Sequence, residues 1–149
     1  MADHPRTPVV EMPLRVRYHE CDQQGIVFNA HYLAYADMAA FEFYRVVFGS
    51  AGYLTDRGID MVVAETTLRY RRSAVFEDEL VVSLSIEHIG NTSLVLGIAI
   101  HRGEELVLDG SNRYVWVDIG THRPAPPPED VRQALRKAAG TGEPGPGSP

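Results

Sequence analysis

The sequence predicts an α+β fold in which one long central helix is wrapped by a curled antiparallel sheet of about five strands. Apolar residues that recur at three- and four-residue steps predict the buried face of the helix: Leu33, Ala36, Ala40, Phe43 and Val47. From Met61 onward, apolar and polar residues alternate with the period of two that is typical of strands. The predicted order is a strand, the long helix and four strands in meander-like succession, an α+β arrangement.

Local signals predict where the helix begins and ends. A short strand comes first, because Leu14, Val16 and Tyr18 alternate with polar residues. A polar turn at residues 22–25 separates that strand from the helix. Glycines are the usual helix stops, so the helix is expected to end in the glycine-bearing segment 49–52.

Two later strands show the alternation most clearly, and their inward-facing residues are apolar: Leu80, Val82, Leu84 and Ile86, then Leu94, Leu96, Ile98 and Ile100. The linkers at residues 88–92 and 102–105 are short and contain glycine, which predicts hairpins and therefore antiparallel neighbours. The last strand covers residues 106–118, and Gly110 within it predicts a bulge or a sharp bend.

The two ends of the chain differ from its middle. Residues 1–12 contain proline and no regular period, which predicts a flexible N-terminal arm. One domain is expected over residues 13–139, ending in a short helix at residues 129–139 that has acids in its first turn and bases in its last. Residues 140–149 are rich in glycine and proline, which predicts a disordered tail.

Composition excludes several classes of protein. A net charge of -6 argues against a nucleic-acid partner, because neutralising phosphates needs a basic surface. No apolar run reaches the roughly 20 residues that span a bilayer, so no membrane association is expected. The single cysteine, Cys21, rules out an internal disulfide and fits a reducing cytoplasm. The histidines lack metal-ligand spacing, so neither a metal site nor another cofactor is predicted.

Asp22 is the first candidate for chemistry. It stands shortly before the predicted helix N-terminus, where free backbone N–H groups carry partial positive charge. An acid beside such an oxyanion site suits acyl chemistry. The residues alone equally allow a structural role, in which Asp22 caps its turn by accepting a hydrogen bond from the amide of Gln24 or Gly25.

Two motifs resemble those of a known family. The pattern D-x-x-G-[IV]-V-[FY]-x-x-x-Y-L at residues 22–33 and the segment YRRSAVFEDEL at residues 70–80 are similar to the recurring patterns of hotdog-fold acyl thioesterases. The 4-hydroxybenzoyl-CoA thioesterase-like and YbgC-like branch matches best, over residues 12–120. The resemblance implies hydrolysis of an acyl-CoA or of a phosphopantetheine-linked acyl group on a carrier protein, by a homodimer or homotetramer.

The resemblance also assigns roles to residues of the first motif. Asp22 matches the catalytic carboxylate, which attacks the thioester carbonyl or activates water. The backbone amide of Asn29 matches the oxyanion donor, and Gly25 matches a glycine that lets the backbone approach the substrate. The family often has histidine or tyrosine where Asn29 stands, and asparagine cannot act as a base. His31 is either a proton shuttle or a structural residue of the first helical turn.

Candidate substrate-binding residues are aromatic, basic or small: Phe28, Tyr32, Arg69, Arg71, Arg72 and Ser73. The arginines would bind coenzyme A phosphates, or else they are ordinary charges at a sheet edge. Ser73 would line the pocket from a neighbouring subunit, or else it is an ordinary serine at a strand end. The hairpin at residues 89–92 is neutral where the hydroxybenzoyl branch is basic, which favours a carrier-bound substrate.

Two other functions use the same fold. An acyl-thioester hydratase or dehydratase needs a histidine paired with an acid, and His31 with Asp37 or Glu42 is the nearby candidate. Asp37 is expected on the buried side of the helix, either organising the site or taking part in an internal network. A non-catalytic acyl-CoA-binding protein is the second alternative. Cys21 is expected to be a buried structural residue facing away from Asp22.

Overall fold

The computed structural model describes residues 6–140, in which five strands and two α-helices surround one hydrophobic core. In chain order they are β1 (Val10–Arg15), α1 (His31–Phe48), β2 (Ile59–Tyr70), β3 (Glu79–Ile89), β4 (Ser93–Arg102), β5 (Glu105–Asp118) and α2 (Glu129–Ala139). Short 3₁₀ turns at Tyr18–Glu20 and Thr55–Arg57 precede α1 and β2. No helix in this part of the chain combines the length and the apolar character needed to cross a membrane.

The five strands form one antiparallel sheet in the order β1-β3-β4-β5-β2. The predicted meander is confirmed for β3, β4 and β5, which the two predicted hairpins connect. It is wrong for β2, which pairs with β5 rather than with β3, its successor in the chain. The other edge of β3 is occupied by β1, so the free edge of β5 is the one left for β2.

Helix α1 has 18 residues and packs over β1 and β3. The sheet face that α1 covers is buried as far as β5 and the first residues of β2, where Ile59 and Met61 are buried. Farther along β2 the same face is exposed at Val63 and Thr66.

The predicted combination of one main helix with a five-stranded antiparallel sheet is confirmed. The sheet covers one side of the helix, because Met38, Phe41 and Val46 of α1 remain exposed. The predicted C-terminus is confirmed, because Gly49 ends the helix in the left-handed conformation at φ 88°.

The buried face of α1 contains Ala36, Ala40 and Phe43 as predicted, but it is turned away from Leu33 and toward Tyr35. Its buried side chains are aromatic or small: Tyr32, Tyr35, Ala36, Ala39, Ala40, Phe43 and Phe48. Leu33, predicted to be buried, is 40% exposed, while Tyr35, which lies outside the predicted apolar stripe, is 1% exposed. The rotation places the Tyr35 hydroxyl 2.9 Å from Glu20, which satisfies a buried polar group. Asp37 is consequently exposed, and its predicted place on the buried side is wrong.

The N-terminal strand begins earlier than predicted. β1 starts at Val10, inside the predicted flexible arm, because Val10 is buried and pairs with Leu84 of β3. At the other end, the predicted bounds of α2 and its stop at Gly140 are confirmed. Arg132 of α2 donates hydrogen bonds to the carbonyls of Gly90 and Asn91, which ties this helix to the β3–β4 hairpin. Of the predicted tail at residues 140–149, residues 141–149 lie outside the described residues.

Gly110 permits close packing of two strands rather than a bulge. It pairs in regular register with Leu68 on one side and Ile98 on the other. In the two ladders of β5 the shifts in register lie elsewhere, opposite Val63 to Glu65 of β2 and Ile100 to His101 of β4. A Cβ at Gly110 would overlap the backbone carbonyl of Thr67 and lie 3.0 Å from the Cα of Leu68.

Gly110→Ala is therefore expected to destabilise the fold by about 1–3 kcal/mol, since the β2 backbone would have to shift. Urea unfolding followed by circular dichroism measures the effect. Gly52→Ala is the matched control, because the nearest atoms to a Cβ there are 3.8 Å away. Equal stability of the two variants would contradict the close approach of β2 to Gly110.

Candidate active site

The loop that joins β1 to α1 holds Asp22 in a tight turn. The Asp22 amide donates to the Ile26 carbonyl at 2.8 Å, and the Gly25 amide donates to the Asp22 carbonyl at 2.9 Å. Gly25 has φ 79°, a left-handed conformation that favours glycine. Asp22 Oδ1 accepts a hydrogen bond from the Gln24 amide at 2.8 Å. The turn-capping role considered from the sequence is thus present.

Capping occupies one carboxylate oxygen of Asp22 and leaves the other available. Within residues 6–140, Asp22 Oδ2 accepts no hydrogen bond, and the side chain is half-buried. Because one oxygen is held by a hydrogen bond, the carboxylate group has a fixed orientation and its other oxygen is free to contact a substrate. Structural and chemical roles for Asp22 are therefore compatible rather than exclusive.

Two strand-like contacts fix the rest of this loop. Cys21 and Val27 form an isolated antiparallel bridge, and Ile26 forms another with Val75. The Val27 amide donates to the Ala74 carbonyl at 2.9 Å. Cys21 is half-buried and packs against the core, so its predicted full burial is only partial.

Glu20 connects the loop to α1. Its carboxylate accepts hydrogen bonds from the Arg17 amide at 2.6 Å and from the Tyr35 hydroxyl at 2.9 Å. Its backbone carbonyl accepts from the Phe28 amide at 2.9 Å. Burial, together with the hydrogen bond to Glu20, raises the pKa of Tyr35, so this phenol stays protonated as the donor. Sequence reasoning missed this pair, which no local motif signals.

The chain enters α1 through a turn that leaves two amides free. The His31 amide donates to the Phe28 carbonyl at 2.8 Å, and Ala30 has φ -69° and ψ -20°. Within the described residues 6–140, the amides of Asn29 and Ala30 donate to no acceptor. In a trans peptide the N–H points away from the C=O. Because the Phe28 carbonyl points toward the helix, the Asn29 N–H points away from it.

Tyr70, the last residue of β2, reaches this turn. Its hydroxyl donates a hydrogen bond to the Asn29 carbonyl at 3.2 Å, and its ring packs edge-to-face against Tyr32 at 5.7 Å between centroids. A residue of the second sequence motif thereby orients the backbone of the first. The motif drew attention to Tyr70, but its contact spans 41 positions and has no local signal.

A family profile described as the thioesterase-like superfamily matches residues 16–135 of this sequence. The chain belongs to the thioesterase-like superfamily. Two curated relatives are similar to it along most of their length. The acyl-CoA thioester hydrolase YbgC of Escherichia coli O6:H1 is 30% identical over 69% of this chain and 77% of that protein. The acyl-CoA thioesterase YbgC of Haemophilus influenzae is 24% identical over 83% of this chain and 91% of that protein.

A solved structure described as a thioesterase complexed with coenzyme A and Zn, from Thermus thermophilus, matches this fold with a TM-score of 0.80. It is 27% identical and covers 91% of this chain and 98% of that one. Together with the family match, this confirms the resemblance to the hotdog-fold thioesterases. Within residues 6–140 of this protein, no group of three His, Cys, Asp or Glu side chains is placed to hold a metal ion.

Phe28 and Tyr32, the two aromatic residues predicted to bind substrate, differ in exposure. Phe28 is exposed and lies edge-to-face with the His31 ring at 6.2 Å. Tyr32 is buried, and its hydroxyl accepts a hydrogen bond from the Ala74 amide at 3.3 Å. Burial raises the pKa of Tyr32. Tyr32 thus packs in the core behind the loop, whereas Phe28 faces solvent beside the free amides.

The arginines predicted to bind phosphate are all engaged with acids. Arg69 and Arg71 both pair with Asp109, at 3.2 and 3.0 Å. Strand alternation places Arg69 on the sheet face opposite Tyr70, so the structure does not bring Arg69 to Asn29. Arg72 lies 3.4 Å from Glu105.

Ser73 is held through its backbone, since its carbonyl accepts a hydrogen bond from Arg102 at 3.0 Å. Arg102 also pairs with Asp78 at 2.6 Å. Glu42, an acid considered for His31, pairs instead with Arg45 at 2.6 Å, and Asp37 is exposed. The pairing of His31 with an acid, which a hydratase would need, does not form within residues 6–140.

Proposed function

We propose that the protein hydrolyses an acyl-CoA thioester to a free acid and a thiol. The observation that carries the proposal is one short loop that holds both an oriented carboxylate, Asp22, and an unpaired backbone amide, Asn29, at the start of α1. The names of the two YbgC relatives support the same substrate class.

In the proposed mechanism the thioester carbonyl accepts a hydrogen bond from the Asn29 amide. Negative charge that develops on this oxygen is stabilised by the amide and by the positive end of the helix dipole. Asp22 Oδ2 either attacks the carbonyl carbon, giving an anhydride that water then hydrolyses, or removes a proton from the attacking water. In both versions the C–S bond breaks and the thiolate leaves.

A panel of acyl-CoA substrates tests this proposal when release of free thiol is followed with a thiol reagent. Hydrolysis predicts stoichiometric thiol. A change in conjugation absorbance without thiol would instead indicate a hydratase, and binding without either signal would indicate a non-catalytic acyl-CoA-binding protein. Because the lone cysteine fits a reducing compartment, we place the enzyme in the cytoplasm.

We expect a homodimer, or a homotetramer built from it. β2 is an edge strand whose residues Val62 and Val63 are 47% and 50% exposed, and α1 exposes Met38, Phe41 and Val46. Pairing two β2 edges would continue the sheet and cover this apolar surface. Light scattering at micromolar concentration should therefore give a mass at least twice the 16.5 kDa of the chain. A monomer would contradict this assembly.

The thiol carrier is a separate question, and charge pairing favours a substrate held mainly by its pantetheine arm. Arg69, Arg71 and Arg72 are each paired with an acid. Rates for one acyl group on CoA and on free pantetheine should therefore differ by less than about tenfold, worth about 1.4 kcal/mol. A loss of about a hundredfold with pantetheine would mean that the nucleotide is firmly bound, and would contradict a preference for carrier-bound substrates.

A further inference from the structure

The helix-facing side of β5 carries polar side chains within an apolar surface. Asn112 is 5% exposed and is the one polar or charged residue classed as buried within residues 6–140. Its Oδ1 accepts a hydrogen bond from the Thr66 hydroxyl at 2.6 Å, and its Nδ2 donates to the Tyr114 hydroxyl at 3.3 Å. We call Thr66, Asn112 and Tyr114 the polar row.

The polar row faces the same side of the sheet as α1. Thr66 is the direct partner of Asn112 across the β2–β5 ladder, and Tyr114 follows Asn112 by two residues, so all three share one face. Burial raises the pKa of Tyr114, and the charge of Asp37 on α1 acts in the same direction. Tyr114 is therefore a protonated phenol near neutral pH.

The hydrogen-bonding capacity of the row is only partly used. An asparagine amide has two N–H donors, and one of those on Asn112 is occupied by Tyr114. The Tyr114 oxygen accepts that bond, but its own O–H donates to no acceptor within the described part of the chain. Leaving a buried donor unsatisfied costs about 1–3 kcal/mol. Two donors without protein acceptors thus favour a ligand that brings an oxygen.

The row is connected to the candidate active site along β2. Thr66, Leu68 and Tyr70 are two residues apart along β2 and therefore lie on the same face of the sheet. The Tyr70 hydroxyl donates a hydrogen bond to the Asn29 carbonyl. Four residues of strand separate Thr66 from Tyr70, a distance of about 13 Å. Thr66 and Tyr70 are both exposed, and the Tyr70 ring contacts Tyr32 of α1, so this part of β2 is accessible from solvent while Asn112 and Tyr114 beside it are buried.

We propose that the polar row recognises an oxygen atom near the far end of the acyl group. The substrate class would then be a straight-chain acyl thioester with a distal hydroxyl or oxo group. The strand length of about 13 Å between Tyr70 and Thr66 favours a straight chain over a single aromatic ring. This inference rests on the proposed thioesterase function and names the substrate class for the same site. An unsubstituted chain would desolvate the two donors and return no hydrogen bond to them.

The test compares decanoyl-CoA with ω-hydroxydecanoyl-CoA, with an ω-oxo analogue as a third substrate. The wild-type enzyme should prefer the oxygenated substrates in kcat/KM by tenfold or more, mainly through KM. Tyr114→Phe and Asn112→Leu should remove the preference by weakening the oxygenated substrates and not decanoyl-CoA. Tyr114→Phe keeps the ring, so it serves if Asn112→Leu does not fold. Ser111→Ala, on the opposite sheet face, is the matched control.

Equal efficiency of the wild-type enzyme with decanoyl-CoA and ω-hydroxydecanoyl-CoA would overturn the inference and leave the thioesterase function standing. If no thioester releases thiol, the proposed function fails instead. Calorimetric titration with the same two ligands would then test, by binding affinity alone, whether the polar row recognises the distal oxygen. Tenfold tighter binding of the hydroxylated ligand that is lost in Tyr114→Phe supports the row, and equal affinities refute it.

Discussion

Asp22→Asn is expected to lower kcat for thioester hydrolysis by at least about a hundredfold, the low end for a positioned general base. In the wild-type protein the Gln24 amide donates to Asp22 Oδ1 at 2.8 Å. Asparagine keeps an Oδ1 that can accept this hydrogen bond, so the turn should persist. What disappears is the negative charge on the oxygen that faces no protein partner. Thiol release at saturating acyl-CoA measures the loss, and the melting temperature reports the fold.

Asp118→Asn is the matched control for this experiment. Asp118 Oδ1 accepts a hydrogen bond from the Thr121 amide at 2.8 Å, which is the same kind of turn cap at the end of β5. Its substitution should leave kcat near the wild-type value. If Asp22→Asn retains near-normal turnover while His31→Ala abolishes it, the reactive group has been assigned to the wrong residue.

The parts of the fold that could be predicted from the sequence depend on neighbours in the chain. Gly49 and Gly140 end helices because glycine readily adopts left-handed backbone, and the short linker at residues 102–105 specifies its hairpin locally. The place of β2 could not be predicted this way. It depends on β1 occupying the edge of β3, a pairing between residues far apart in the sequence.

In the candidate site, too, local features could be predicted from the sequence and long-range contacts could not. The Asp22 turn follows from one continuous segment, whereas the choice of the Asn29 amide rests on the resemblance to the family. The contacts that orient this segment come from elsewhere, because Tyr70 reaches Asn29 across 41 positions and Tyr35 reaches Glu20 across 15. The predicted buried stripe of α1 omits Tyr35, because hydrophobic periodicity does not reveal that a buried phenol has a carboxylate partner.

Asn29→Pro is expected to reduce kcat by about 10²–10³, because proline removes the backbone donor proposed for the oxyanion. The turn should accept this substitution. Asn29 occupies the second position of a turn closed by the His31 amide and the Phe28 carbonyl, and Ala30 at the third position has φ -69°. A negative φ at that position excludes a type II turn, and proline is favoured at the second position of a type I turn.

Asn29→Ala separates the backbone from the side chain. It keeps the amide and removes only the carboxamide, so kcat should stay within a fewfold of the wild-type value if the amide is the donor. The pair of variants, with the same thiol assay and melting temperatures within a few degrees, locates the oxyanion contact. A large loss in both would assign the contact to the Asn29 side chain. Near-normal turnover in Asn29→Pro would move the oxyanion donor to the remaining free amide of the turn, that of Ala30.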